Sequence, residues 1–348
     1  MTVYTTYFDS RFLLRGAACL TSLVGRSQTP PKILVLALDA ECRDTLPTLL
    51  APVSARCELE IISLLELESS HPELASAKAN RSWVEYVFTL TPVLCLEAAE
   101  RATPGTHVVY IDADVYFFAD PALALQEAGA ADIAITEHRF PPHTAYLAGL
   151  YGRFNVGWLA FRNTLEGNQC MRDWKADCLS WCRIEPKDGA FGDQMYLDAW
   201  PTRYSNLAVV GHVGVNTGPW NAPQYKFSPG HTGPLVDGQM LIAFHFHRVN
   251  RLGDGVYETD FLNYGSLTPE LCDLVYVPYV RCLANMEARF SAALPTNARA
   301  RLEKFARPDW TPKGIARLAW IFLRLCLRRR VVFDPSGAKS AMGGMLYV

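Results

Sequence analysis

Two short stretches of this chain carry residue types and spacings that could do chemistry. In HVVYIDADVYFF, residues 107–118, mostly apolar residues lead into Asp112 and Asp114, one residue apart, and more apolar residues follow. Burying an ionised carboxylate is costly unless something positive meets it, so two of them at the end of an apolar strand need a partner. Alternation along an extended chain aims both side chains the same way. Two carboxylates facing one crevice can share a divalent cation, and hard ions such as Mg²⁺ or Mn²⁺ prefer oxygen ligands. The second stretch is IAFHFHRVNR, where His245 and His247 end another apolar run with the same spacing. An imidazole from a distant strand supplies the further ligand that D-x-D lacks, and it tilts the choice from Mg²⁺ toward Mn²⁺. Each motif also has an ordinary reading: one Asp capping a turn beside a solvated one, and histidines hydrogen-bonded within the core. Taken together the two motifs favour a metal.

Other polar residues stand among apolar ones. Asn155 lies in FNVGW, inside a strand that should be buried. A buried amide needs partners, and a hydroxylated ligand could supply them. Asp193 and Gln194 open a helix in GDQMYLDAW, where Asp193 reads equally as an N-cap. Asn216, Trp220 and Asn221 in VNTGPWN set amides beside an indole, a combination that suits a sugar ring. A loop Trp that covers the core fits the same letters. No P-loop, no G-x-G-x-x-G after a strand and no G-x-S-x-G elbow occurs. Phosphates would therefore be held by metal and cationic side chains, for which Arg81, Arg248 and Arg251 are candidates; each also reads as an ordinary surface arginine.

These residues need a scaffold, and the pattern of the chain predicts one. VYTTYF, KILVLALD, LEIISL and HVVYID are apolar strands, separated by stretches of helical periodicity; SWVEYVFTLTPVLCLEAAERA is helical and bent near Pro92. Strands alternating with helices predict an α/β fold, a mostly parallel sheet covered on both faces. Ligands of such sheets sit beyond the carboxyl ends of the strands, which is where Asp112 and Asp114 fall. After Asp114 the pattern predicts a short helix near Asp120, strands at DIAIT, FNVGWLAFR, LAVVGHVGVN and QMLIAFHFH, and helices at LEGNQCMRDWKADCLSWCRI and DGAFGDQMYLDAW. With no linker and no repeat, one domain over residues 1–267 and a helical extension over 268–348 is the economical division.

The totals are those of an ordinary globular chain. Of 348 residues, 50% are hydrophobic and 20% charged, and the net charge of −2 gives no basic field for nucleic acid. The ten cysteines are scattered without a CxxC; Cys178 and Cys182 have the spacing of two buried thiols in a helix rather than of a zinc half-site. Reduced thiols, no signal peptide and no apolar run of membrane-spanning length place the protein in a cytoplasm.

The segments YFDSRFLLRGAACLTSL, YIDADVYFF, FNVGWLAFR, FGDQMYLDAW and FHFHRVNR follow one another in the order found in GT-A-fold glycosyltransferases. From about residue 3 to about residue 265 the chain resembles bacterial nucleotide-diphospho-sugar transferases of surface-polysaccharide and lipopolysaccharide pathways, distant relatives of the family-8 retaining enzymes. The resemblance implies that Asp112 and Asp114 bind Mn²⁺ or Mg²⁺ bridging the diphosphate of a sugar nucleotide. It matches His245 to the metal-binding His of an H-x-x-G-x-x-K element, with Arg248 at the Gly position and Arg251 at the Lys position. The Gly-to-Arg departure leaves open which of His245 and His247 is the ligand. It matches Tyr7 and Asp9 to the region that reads the nucleotide base, and Asn155, Asp193 and Gln194 to residues holding the donor sugar or lying beside its anomeric carbon. The implied reaction moves a sugar to a hydroxyl of a glycan or glycolipid acceptor, with retention in related enzymes; inversion would need a carboxylate base opposite the leaving group.

IARLAWIFLRLCLRRRVVF, residues 315–333, has the pattern of a basic amphipathic helix. Such a helix can lie on an anionic membrane, here the inner face of the cytoplasmic membrane, or dock on its own domain with a solvated basic face. Three other functions are compatible with parts of the pattern. A sugar nucleotidyltransferase would carry a Gly-rich basic loop after the first strand, and YFDSRFLL is not one. A phosphohydrolase would place a nucleophilic Asp early, where Asp9 stands. A non-catalytic carbohydrate-binding protein would not need Asp112, Asp114, Asn155, Asp193 and His245 all intact.

Overall fold

The computed structural model describes residues 2–187, 189–253, 256–291 and 331–333. β1 (Val3–Phe8) leads to α1 (Leu13–Arg26), β2 (Lys32–Ala37) to α2 (Ala40–Leu50), and β3 (Glu58–Ser63) to α3 (Leu64–Ser70), α4 (Leu74–Asn80) and α5 (Trp83–Glu100). Then come β4 (His107–Ile111), β5 (Val115–Phe117), α6 (Ala122–Ala128), β6 (Ile133–Glu137), α7 (Ala148–Tyr151), β7 (Phe154–Arg162), α8 (Leu165–Ser180), α9 (Trp200–Arg203) and β8 (Leu207–Val209). The chain continues through β9 (Phe227–Pro229), β10 (Pro234–Val236), β11 (Gln239–Met240), β12 (Ala243–His245), β13 (Asn250–Gly253), β14 (Val256–Glu258), α10 (Phe261–Tyr264), α11 (Pro269–Leu271), α12 (Val277–Phe290) and β15 (Val331–Phe333).

Seven strands form the central sheet in the order β3-β2-β1-β4-β7-β6-β8. Only β7 runs against its neighbours, β4 and β6; the other pairings are parallel. This is the mostly parallel α/β sheet that the alternation predicted. β2 and β7 are buried almost throughout, as strands covered on both faces must be. Leu34, Leu36, Leu90, Leu94, Phe161 and Trp174 belong to the core cluster against the sheet. Serines start two of the helices. Ser63 and Ser82 each accept from the backbone of the third helical residue, and Glu66 and Glu85 reach back to close a capping box.

The chain folds as two compact units, residues 1–217 with 241–245 and residues 218–240 with 246–348. The chain leaves the first unit after Thr217, returns only for β12, and leaves again. In the first unit, β12 pairs antiparallel with β5, Ala243 opposite Phe117 and His245 opposite Val115. The second unit holds the hairpins β9-β10-β11, the sheet β13-β14-β15 and the helices α10 to α12. Phe246 is buried there, its ring stacked 3.8 Å from that of Tyr279.

Three expected elements come out shorter than their apolar letters suggested. LAVVGHVGVN is a strand only at β8, because the backbone beyond it serves β12 instead: the Gly214 carbonyl accepts from Ile242 and Ala243, and the Thr217 carbonyl from His245. QMLIAFHFH is broken into β11 and β12 by the passage from one unit to the other. The helix expected from residue 193 is a 3₁₀ turn, Met195–Ala199, running into α9. The helical tail from residue 268 is present over α11 and α12. Of the amphipathic segment 315–333, Val331–Phe333 is a strand, paired with β14, and the rest lies outside the described residues. Among the described residues, no helix is long and apolar enough to cross a membrane.

Candidate active site

The acidic pair sits where the sheet ends. Asp112 follows the last residue of β4 and Asp114 precedes β5. The link is a turn, closed by the Val115 amide donating to the Asp112 carbonyl at 3.1 Å, rather than the continued strand that alternation assumed. Both carboxylates nevertheless meet one imidazole. Nε2 of His245 lies 3.0 Å from Asp114 Oδ1 and 3.6 Å from Asp112 Oδ2. The His245 side chain is 5% exposed and that of Asp112 is 32% exposed, so the cluster is closed on the protein side and open at Asp112.

Gly157 of β7 makes the approach of His245 possible. A Cβ on this residue would lie 2.5 Å from His245 Nδ1 and 2.7 Å from Asn155 Oδ1. Three ligand atoms of borderline and hard character, two of them anionic, therefore converge in a cradle kept open by a glycine. That donor set fits a divalent cation. Electrostatics agree. Burial alone would lower the His245 pKa, but the charge and hydrogen bond of Asp114, joined by the charge of Asp112, raise it. Burial raises the Asp112 pKa against the attraction of His245, and the like charge of Asp114 adds to the rise.

A second cluster surrounds Asn155. Its Oδ1 accepts from the Gly157 amide at 2.9 Å; its Nδ2 meets His138 Nε2 at 3.1 Å and Gln194 Oε1 at 3.4 Å. Gln194 Nε2 donates to the Tyr151 carbonyl at 2.8 Å, and His138 Nδ1 lies 3.1 Å from the Gly152 carbonyl. A carbonyl can only accept, so Nδ1 of His138 carries a proton and a neutral ring leaves Nε2 to accept from Asn155. The amide of Asn155 thus finds its partners inside the protein, where the sequence suggested a ligand.

Asp193 is not an N-cap. Gln194 occupies that position on the 3₁₀ turn, without a side-chain cap. The Asp193 carboxylate accepts instead from Thr91 Oγ1 of α5 at 2.7 Å, and Trp174 of α8 donates to the Asp193 carbonyl at 2.7 Å. Burial pushes the Asp193 pKa up to about 7, against the Thr91 hydrogen bond and with help from the charge of Asp112. Tyr7 also reaches Thr91, its hydroxyl 3.1 Å from Oγ1. Tyr110 stands beside Tyr7, ring centroids 5.8 Å apart, and donates to Asp112 Oδ1 at 2.8 Å.

Most of the remaining candidates meet partners within their own unit. Arg81 donates to Thr89 and, at 2.6 Å each, to the carbonyls of Cys178 and Leu179 at the end of α8. Asp9 caps the 3₁₀ turn after β1 and accepts from the Arg11 backbone at 2.9 Å and its Nε at 2.7 Å. Asn216 is buried in a left-handed conformation, φ 54°, with Nδ2 donating to Thr136 at 2.9 Å. In the second unit Trp220 is 4% exposed, folded over Gly218, and Asn221 Oδ1 accepts from the Gly218 amide at 3.0 Å. The alternative reading of a Trp that covers the core describes Trp220. His247 belongs to the second unit, its Nε2 3.7 Å from Asp260 Oδ2, and Arg251 pairs there with Glu287. Arg248 adopts φ 53°, a left-handed backbone at the position matched to the family's glycine.

Sequence reasoning missed Thr91, Tyr110, His138 and Gly157. The signal for Thr91 was present, a hydroxyl on the buried face of an apolar helix beside Pro92; for Gly157 it was a glycine inside a strand.

Fold and site define an α/β protein with an acidic and imidazole cluster at the carboxyl end of a mostly parallel sheet. No protein-family model matches the chain. It is 30% identical to the uncharacterized protein YfnD of Bacillus subtilis (strain 168) over 254 residues, 72% of this chain and 81% of YfnD. It is 31% identical to the uncharacterized protein YfnF of the same organism over 253 residues, 70% of this chain and 80% of YfnF. The chain belongs to the family that contains these two proteins. Among solved structures it is similar to mouse xyloside xylosyltransferase 1, with 12% identity, a TM-score of 0.46, and 71% of this chain and 98% of that one covered. It is also similar to the galactosyltransferase LgtC in complex with donor and acceptor sugar analogues, with 13% identity, a TM-score of 0.49, and 82% and 96% covered. A third, the glycosyltransferase GlyE of Streptococcus pneumoniae TIGR4, has 17% identity, a TM-score of 0.40, and 62% and 46% covered.

Proposed function

We propose that this chain is a GT-A glycosyltransferase that moves a sugar from a nucleotide-diphosphate sugar to a hydroxyl of a surface-polysaccharide or lipopolysaccharide precursor. The observation that carries the reading is the delivery of His245, by a strand from far along the chain, to within 3.0 Å of Asp114 and 3.6 Å of Asp112. Asp112, Asp114 and His245 would hold Mn²⁺ or Mg²⁺. When bound, the ion supplies Lewis-acid neutralisation of charge on a leaving diphosphate. His247 is a further candidate ligand.

In the proposed reaction the bond from C1 of the sugar to the diphosphate oxygen breaks and a bond from C1 to the acceptor oxygen forms. The acceptor proton passes to the departing phosphate oxygen, so retention needs no separate general base. Asp193, when ionised, stabilises positive charge developing at C1. Asn155 and the Tyr151 carbonyl fix the Gln194 amide in one orientation. Asp9 does not favour a phosphohydrolase, since both of its carboxylate oxygens are engaged by Arg11.

Calorimetry tests the reading. UDP, GDP, dTDP, CDP and ADP are titrated with Mn²⁺, with Mg²⁺ and with chelator. Metal-dependent binding of one base, lost in Asp112→Ala, is the expected result. If none of the five binds under any condition, the transferase reading falls and the acidic cluster needs another account.

A further inference from the structure

Thr91 stands where a helix is interrupted. Pro92 has no N–H to give to the carbonyl four residues back, so the Phe88 carbonyl loses its helical donor. The Thr91 hydroxyl lies 3.1 Å from that carbonyl and 2.7 Å from Asp193 Oδ2, and it owns a single proton. An ionised carboxylate is the stronger acceptor, so the proton goes to Asp193. Thr91 Oγ1 is then free only to accept, and the phenol of Tyr7 must be the donor of their 3.1 Å contact. While Asp193 is ionised the polarity of the path is fixed: Tyr7 donates to Thr91, and Thr91 donates to Asp193. On its other side Tyr7 packs against Tyr110, whose own proton goes to Asp112.

We propose that Tyr7 and Thr91 are positioning residues that hold the Asp193 carboxylate from below, and that Tyr7 is not a reader of the nucleotide base. The proposal rests on the glycosyl-transfer reading for its effect on turnover, but the holding of Asp193 is a property of the fold. Several groups face Asp193. They are Thr91 and Cys95 from α5, Tyr7 from β1, Tyr110 and Asp112 at the end of β4, and Cys178 of α8. None of these is a cation.

The test combines two readouts on the full chain with Thr91→Val, Thr91→Ser and Tyr7→Phe. The first follows the Asp193 carboxyl by carbon-13 NMR through a pH titration in chelator. The wild-type midpoint is expected near 7. In Thr91→Val it moves up, since the hydrogen bond that favours the charged form is gone, and Thr91→Ser restores it. The second compares binding of the nucleoside diphosphate preferred by the wild type with turnover of its sugar nucleotide. Thr91→Val and Tyr7→Phe should bind the nucleotide as the wild type does and lose turnover by about 10- to 100-fold. A Thr91→Val midpoint that does not move overturns the proposal. So does a Tyr7→Phe protein that turns over normally, or one whose nucleotide binding is weakened tenfold or more, which is the mark of a base reader. If the wild type binds no nucleotide, the proposed function fails, and the titration alone decides whether Thr91 holds Asp193.

Discussion

A methyl group on residue 157 would claim space that the buried His245 ring occupies, and the ring has little room to retreat. Gly157→Ala should therefore leave the sheet in place by circular dichroism and weaken Mn²⁺ binding by about tenfold or more, read by electron paramagnetic resonance. Unchanged affinity would remove His245 from the ligand set. Asp193 yields a prediction about pH. Its folded pKa of about 7 lies above the ordinary 3.8, so the native state binds this proton more tightly than the unfolded chain. The stabilisation is complete below the ordinary value and is lost as pH rises through about 7. Asp193→Asn has no such proton. Urea midpoints should show the wild type losing ground to this variant across that interval, by at most about 4 kcal/mol; a constant difference would contradict the shift. At this scale the sequence singled out residues that the structure brings together, but not the partners they find there. Asp112, Asp114 and His245 were legible because they stand at the ends of apolar runs. Asn155 and Asp193 were singled out correctly as odd, but their partners, His138 and Thr91, lie on other elements, and spacing along the chain cannot bring those together.

Elements at this site are tied by their ends. α8 finishes with carbonyls that no further turn of helix satisfies, and Arg81 donates to those of Cys178 and Leu179. Arg81→Met should lower stability by about 2–4 kcal/mol in urea unfolding while the folded fraction binds nucleotide as before. The phosphate role suggested by the sequence forecasts the reverse, weaker nucleotide binding with stability intact, so one pair of measurements separates the two. At the start of α5, Ser82→Ala removes one half of a capping box and should cost about 1 kcal/mol in the same assay. The strands of the first half and α1 were readable because their apolar runs are long and bounded by turn residues. β8, β11 and β12 were not, since an apolar run reports burial and not pairing. Valines recur at 210, 213 and 215, yet the backbone there turns from β8 to β12, which takes the Gly214 and Thr217 carbonyls.

The molecule as a whole is threaded so that its first unit is completed by a return of the chain. A chain ending after Thr217 keeps Asp112 and Asp114 but lacks β12, the partner of β5. Such a chain should melt at a lower temperature than the full protein and bind no Mn²⁺ in calorimetry; normal binding would show that the acidic pair suffices. Nothing in the letters announced this threading. Residues 218–240 group with the later part of the chain, which no motif or linker marks. The return of β12 also sets an order of events during synthesis. As the ribosome extends the chain, both carboxylates emerge long before the imidazole that closes their cluster. Under the proposed reading, the nascent protein meets competing ions with its cation seat unfinished. Loading is then a late act, a seal on a fold already made, and a chain stalled or cut before residue 245 is left inert rather than half active.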